Sequence, residues 1–386
     1  MEAGGQLVGQ TRPSSAIRTA LLATTAFAVV VVLMSASQGG PSYFIGLGEE
    51  STALEHAREV LGEDVSVPLA DGHDGESFWL LARDPLLTGG EELAQYFDRP
   101  LYRAQRIGYP LIASPWGLAG EQALVWGLVL TNLAAIGIGT YLVGREVADQ
   151  GGTDRAGYAF AANPLVWMAL LFDFCDAVAL VGLVAFVIAL RRGRLGWAAV
   201  AALVGALTKE SSALAIAAVV LLGRAHPAVK RVRVAVPAAV LVVLWRLYVM
   251  AQPGFGSDPD VQEFALVPFS GFEEAWRRGW VPNGHWLYAA IGLCLIPLAA
   301  AVVVGWWRRR ESLALTAALP YALYVPFLSG QVLSIPVNSL RAFGPAITLA
   351  AMGLLVPPSQ RTAAGGSGLP ILQGDGREAP AGGVDP

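Results

Sequence analysis

IRTALLATTAFAVVVVLMSA, residues 17–36, holds a single charge, Arg18, at its start. At about 1.5 Å per residue it matches the hydrocarbon thickness of a bilayer. Arg12 and Arg18 before the run and SAS at 35–37 after it share the layout of a secretory signal. The run is nevertheless long enough to cross, and further apolar runs follow, so it reads as an uncleaved first span. The others are 122–143, 156–172, 175–190, 195–208, 211–223, 234–251, 286–307, 312–330 and 338–356. The 195–223 stretch reads as one kinked hairpin or two half-spans. The predicted fold is an all-α polytopic membrane protein with about ten transmembrane helices.

Composition supports this. Charged residues make up 15% and mean hydropathy is +0.52, where a soluble domain carries about 25% charge. The apolar runs are continuous, not alternating, which argues against a β-barrel. A formal net charge of −4 gives no basis for a nucleic-acid partner. Cys175 and Cys294 sit in or beside apolar runs and read as buried thiols, not a disulfide framework. Lysine occurs only at 209 and 230 among many arginines, a usage associated with GC-rich bacterial, notably actinobacterial, genomes.

Basic residues favour the cytoplasmic side of short loops. With the N-terminus inside, that side collects Arg145 and Arg155, then Arg191, Arg192 and Arg194, then Arg224, Lys230, Arg231 and Arg233, then Arg308, Arg309 and Arg310. The predicted organisation is a cytoplasmic N-terminus (1–16), a membrane domain (17–356) and a disordered cytoplasmic tail (357–386). The opposite face carries two larger segments, 37–121 and 252–285. The first has 14 acidic residues against five arginines. It reads as structured: 50–61 as one amphipathic helix, and 76–87 as a second whose Phe78, Trp79, Leu81 and Leu86 lie in the membrane interface.

Five places hold chemistry-bearing residues. DGHDGESFWLLARDP (71–85) gathers Asp71, Asp74, Glu76 and Asp84. A carboxylate here can accept a proton from a hydroxyl, or cap the helix that follows. YFDRPLYRAQRIGYP (96–110) places Arg103 and Arg106 on one helical face, suiting a phosphate. Pairing with Asp98, Glu92 or headgroups is the structural alternative. LTKESSAL (207–214) sets Lys209 and Glu210 between apolar runs, where charge is costly and usually functional, or where the two neutralise each other. FDFCD (172–176) offers Asp173 and Asp176 for a metal or polar substrate, or as a solvated turn. Arg341 in NSLRAFGP faces an anionic headgroup or snorkels to the interface. Walker, GxGxxG, HExxH and CxxC motifs are absent.

One early span, a large external loop with an acidic motif, then many spans: this resembles the GT-C superfamily of membrane glycosyltransferases. DGHDGESFWLLARDPL with YFDRPLYRAQRIGYPLIA is similar to YDGQ-x-YY…DP…YR-x-QR-x-x-YP of bacterial, mainly actinobacterial, members. Those are related in outline to GPI mannosyltransferases of the PIG-V type. LTKESSAL resembles the Lys-Glu element at the outer end of a GT-C helix. The likeness spans roughly 15–356, and its specific part is 71–110 with 207–214. It implies transfer of a sugar, mannose by default, from a polyprenyl-phosphate donor to a glycan, lipid or protein acceptor with inversion, on the external face of a bacterial plasma membrane. Asp74 matches the loop acid that serves as general base, and Arg103, Arg106 and Lys209 match positions suited to the donor phosphate. This chain has Glu76 where the pattern has Gln, so Glu76 is a second candidate for proton acceptance. A divalent metal, Mg or Mn, is left open. A flippase for lipid-linked sugars and a non-catalytic scaffold subunit are the alternatives.

Overall fold

The structure, a computed structural model, describes residues 13–258, 264–278 and 285–357. Most of the expected N-terminal segment, nearly all of the expected disordered tail, and Asp260 and Glu263 of the second external segment lie outside these residues. The described residues are 74% helix, and no strand occurs among them. Among the described residues three helices are long and apolar enough to cross a membrane: 15–37 within α1 (Pro13–Ser37), α7 (Glu121–Asp149) and α13 (Ala228–Ala251).

Between α1 and α7 the first loop folds into five short helices: α2 (Leu54–Leu61), α3 (Asp74–Arg83), α4 (Gly90–Ala94), α5 (Pro100–Ala104) and α6 (Gly108–Ala113). They cover one end of the bundle over a core of their own, shared with the ends of α7 and α13. Phe78, Trp79 and Leu81, expected at the membrane interface, are instead fully buried in that core, and only Leu86 is exposed. Their side chains pack under α6, where Tyr109 meets Phe78 edge-on.

The expected span 156–172 is broken into α8 (Tyr158–Ala161) and α9 (Pro164–Leu171). Pro164 cannot continue a helix but starts one well. Asn163 accepts from the Leu165 N–H at 3.1 Å and donates to the Gly344 carbonyl at 2.7 Å. The 195–223 stretch forms two helices, α11 (Leu195–Thr208) and α12 (Ser212–Leu222), parted at Lys209. With α10 (Asp176–Arg191), α14 (Ser270–Arg278), α15 (His285–Arg308), α16 (Leu313–Leu323), α17 (Gly330–Ser334) and α18 (Pro336–Leu354) they complete the chain. The main core joins α1, α7, α10, α11, α12, α16 and α18. Cys175 is buried in the core under the first loop, whereas Cys294, expected to be buried, is exposed.

The two ends of α10 carry different charge networks. At its C-terminal end Glu146, 1% exposed, accepts from Arg191 Nη2 and Arg192 Nη2, each at 3.0 Å. Removing this buried carboxylate takes the counter-charge from Arg191, while Arg192 keeps Asp149 at 2.9 Å. Glu146→Ala is expected to cost about 3 kcal/mol, read as earlier thermal unfolding of the purified protein. Glu146→Asp should recover part of the loss.

Candidate functional site

The site gathers at the N-terminal end of α10, from five separate stretches of sequence. Asp74 opens α3 and Asp176 opens α10. Both carboxylates therefore face the positive end of a helix dipole. Gly75 is demanded by the packing: a Cβ there would lie 2.5 Å from the Ile45 carbonyl oxygen and 2.6 Å from that of Phe172. Only glycine lets the first turn of α3 wedge against the Phe172 turn.

Arg103 and Arg106 come from the segment that α5 begins. Pro100 supplies the first residue of the helix, and its exposed N–H groups are satisfied from afar. Asp258 Oδ1 accepts from Leu101 N at 2.9 Å and Oδ2 from Tyr102 N at 2.7 Å. Helix α5 ends at Ala104, so Arg106 lies beyond it, yet both arginines reach Asp74. Gly108 follows where a Cβ would meet Thr208 Oγ1 at 2.3 Å, which brings this segment against the end of α11.

Lys209 ends α11 in extended backbone. Extended residues send successive side chains to opposite sides. Lys209 and Glu210 therefore do not pair with each other, the simpler alternative in the sequence. Lys209 Nζ donates to Asp176 Oδ1, and Glu210 accepts from Arg106 Nε at 2.8 Å and Nη2 at 2.5 Å. Arg341 lies in the first two turns of α18, which starts on Pro336. Instead of snorkelling it turns inward, its guanidinium stacked 3.9 Å from the centre of the Phe174 ring.

Arg341 ties the site together. Its Nη2 donates to Asp74 Oδ2 at 2.7 Å and its Nε to Asp176 Oδ2 at 2.8 Å. Arg103 Nη1 donates to Asp74 Oδ1 and holds Asp98 through Nε at 2.9 Å and Nη2 at 3.0 Å. Arg106 Nη1 stands 3.5 Å from Asp74 Oδ2. Tyr102 lies between guanidinium groups, 3.9 Å from Arg99 and 4.0 Å from Arg106. Burial alone would raise the Asp74 carboxyl, but Arg341, Arg103 and Arg106 outweigh it and hold the group well below the usual aspartate range.

These residues line a cavity of about 470 Å³. Its lining combines charged side chains, Asp74, Arg103, Arg106, Lys209, Glu210 and Arg341 with Asp98 and Arg99, and a largely apolar set, Leu214, Tyr324, Leu328, Val332, Ile335 and Ala342, with Gln331 and Asn338 among them. Other residues singled out in the sequence fall elsewhere. Asp84 caps its own loop, accepting from Thr88 Oγ1 at 3.0 Å and Gly89 N at 2.8 Å. Asp71 is exposed outside the cavity. Asp173 is buried behind it, 3.2 Å from the Tyr109 hydroxyl. Asp258, Asn338 and Gln331 were not singled out, since nothing local distinguishes them from ordinary polar loop and helix residues.

Glu76 also lies away from the cavity lining. Its side chain points back toward Gly72, where a Cβ would meet Oε2 at 2.7 Å. Burial pushes its carboxyl up to about 7, only partly offset by Ser51 and Arg103. A group whose value is raised on folding stabilises fully below its unfolded value, and that contribution is lost as pH rises through the folded one. Stability should therefore fall between about pH 5 and pH 8, by on the order of 3 kcal/mol from this group. Glu76→Gln should flatten that slope in thermal melts taken across the range. A protonated Glu76 also has the shape and hydrogen-bonding pattern of the Gln that the resembled motif carries there.

Among the described residues no group of three or more His, Cys, Asp or Glu is placed to hold a metal ion. The donor set fits one poorly, since Asp74, Asp176 and Glu210 are each engaged by a guanidinium or ammonium group. No protein-family model, curated protein or solved structure matches the chain. The functional reading therefore rests on this geometry and on the resemblance of its motifs.

Proposed function

We propose that this chain is an integral membrane glycosyltransferase that moves a sugar from a polyprenyl-phosphate donor to an external acceptor. The observation that supports it is the mixed lining of the cavity: Arg103, Arg106, Lys209 and Arg341 together with aliphatic and aromatic side chains. A lipid-linked sugar has both characters, an anionic phosphate between a polar sugar and an isoprenoid tail. The guanidinium forks match the phosphate oxygens, and the apolar side chains suit the first isoprene units. The proposed topology has ten spans with both termini cytoplasmic, the cavity external and the Glu146 network at the cytoplasmic end.

The chemistry is a single displacement. Asp74 takes the proton of the acceptor hydroxyl, whose oxygen bonds to the anomeric carbon from the side opposite the phosphate. The bond from that carbon to the phosphate oxygen breaks, its electron pair stays on the phosphate, and the anomeric configuration inverts. Four cationic side chains stabilise the charge that develops on the leaving phosphate. The donor is lipid-linked, so no nucleotide-binding element is required.

The test uses detergent-purified protein, a panel of polyprenyl-phosphate hexoses and pentoses, and a panel of candidate acceptors. Release of free polyprenyl phosphate that depends on protein and on acceptor supports the reading. No release with any pairing, together with movement of the same lipids between leaflets of proteoliposomes, would replace it with a carrier of lipid-linked sugars.

A further inference from the structure

The charges around the cavity already satisfy one another, but not symmetrically. Each arginine that reaches Asp74 has a second carboxylate of its own. Arg103 keeps Asp98 at 2.9 Å, Arg106 keeps Glu210 at 2.8 Å, and Arg341 keeps Asp176 at 2.8 Å. Asp74 is the acceptor the three share. Three cations, each tethered to a carboxylate of its own, thus converge on one shared carboxylate in the lining of the cavity.

A phosphodiester offers a guanidinium what a carboxylate offers, a pair of anionic oxygens at the spacing of the fork. Asp74 and the three arginines all line the cavity, so the N–H groups that Asp74 occupies are at its surface. While it holds them, its oxygens are engaged in ion pairs and it is a poor proton acceptor. The tethers mean that exchanging Asp74 for phosphate need not move the arginines, since Asp98, Glu210 and Asp176 keep them in place.

We propose, on the basis of the donor reading above, that Asp74 and the donor phosphate compete for Arg103, Arg106 and Arg341, so that donor binding releases Asp74 to act as the base. The base is masked in the empty site and unmasked once a phosphate is seated. The acceptor hydroxyl is then activated only beside a bound donor, and the productive order is donor before acceptor. Competition of this kind is a coupling free energy, and it is reciprocal: whatever weakens the hold of Asp74 on the arginines strengthens the hold of the phosphate.

The decisive experiment measures binding of a polyprenyl monophosphate, with the uncharged polyprenol as control, to the full chain and to its Asp74→Asn variant. An amide keeps the shape and removes the competing charge. The expected result is phosphate binding about tenfold tighter in the variant, with polyprenol binding equal in both. Phosphate binding that is equal or weaker in a variant that melts like the parent would overturn the proposal, as would equal tightening toward polyprenol. If Asp74→Asn does not fold, the parent decides. Infrared difference spectra on adding polyprenyl phosphate should show a carboxylate band leaving its ion-paired position, and an unchanged carboxylate region would overturn the proposal. Binding is read without turnover, so failure of the glycosyltransferase reading would show separately, as absence of transfer with every donor.

Discussion

Asp74→Asn is expected to lower the rate of sugar transfer by about 10²–10⁴-fold, the range a positioned general base contributes. The change removes the proton acceptor while Arg103, Arg106 and Arg341 keep Asp98, Glu210 and Asp176 as partners, so the fold should survive. Release of polyprenyl phosphate at saturating donor checks it, and unchanged turnover would remove Asp74 from the mechanism. The pH dependence of the parent adds a second reading. In the empty site the three arginines hold the Asp74 carboxyl well below its usual range. The acid limb of kcat/KM, which reports the free enzyme, should therefore lie below the ordinary aspartate range. The acid limb of kcat reports the donor-loaded enzyme and should lie at higher pH, because the phosphate then takes the arginines. Coincident limbs would mean that the donor leaves Asp74 as it found it.

What the sequence made legible was the residue types, not their pairing. Charge in an apolar chain is costly enough to stand out, and Asp74, Arg103, Arg106, Asp176, Lys209, Glu210 and Arg341 were visible for that reason. Their partners were not. Arg341 bonds Asp176 across 165 residues of chain and Asp74 across 267, and no local pattern encodes such a contact. A self-neutralising pair of Lys209 and Glu210 stood as the alternative to a functional role because the two are adjacent. The extended backbone at Lys209 sends them to different carboxylate and guanidinium partners. Phe78 and Trp79 read as interfacial because amphipathic spacing does not say whether the apolar side meets lipid or protein. Here the loop supplies its own core. The break at Asn163-Pro164 was present in the sequence as a cap followed by a helix-starting proline, but the continuous apolar run around it outweighed that signal. Asp258 carried no signal, because capping the start of α5 depends on where the second external segment returns.

Arg341→Ala should combine the largest stability loss with a large loss of activity. Its guanidinium joins Asp74 to Asp176 and stacks on Phe174. Truncation leaves two carboxylates facing each other with one fewer cation between them. Removing one member of a buried ion network costs about 3–5 kcal/mol, which thermal unfolding would register. Turnover should fall by about 10²-fold or more, since in the proposed reaction the same group stabilises the leaving phosphate. Arg341→Lys separates the two losses. An ammonium group supplies the charge but not the fork, so it can reach one carboxylate at a time. It should recover much of the stability while turnover stays low. Free guanidinium ion added to the Arg341→Ala variant should fill the cavity left beside Phe174 and restore part of the rate, with saturation. Full activity in Arg341→Lys would show that charge alone is needed at this position. In that case the two-pronged bridge between Asp74 and Asp176 would be a feature of the fold and not of the reaction.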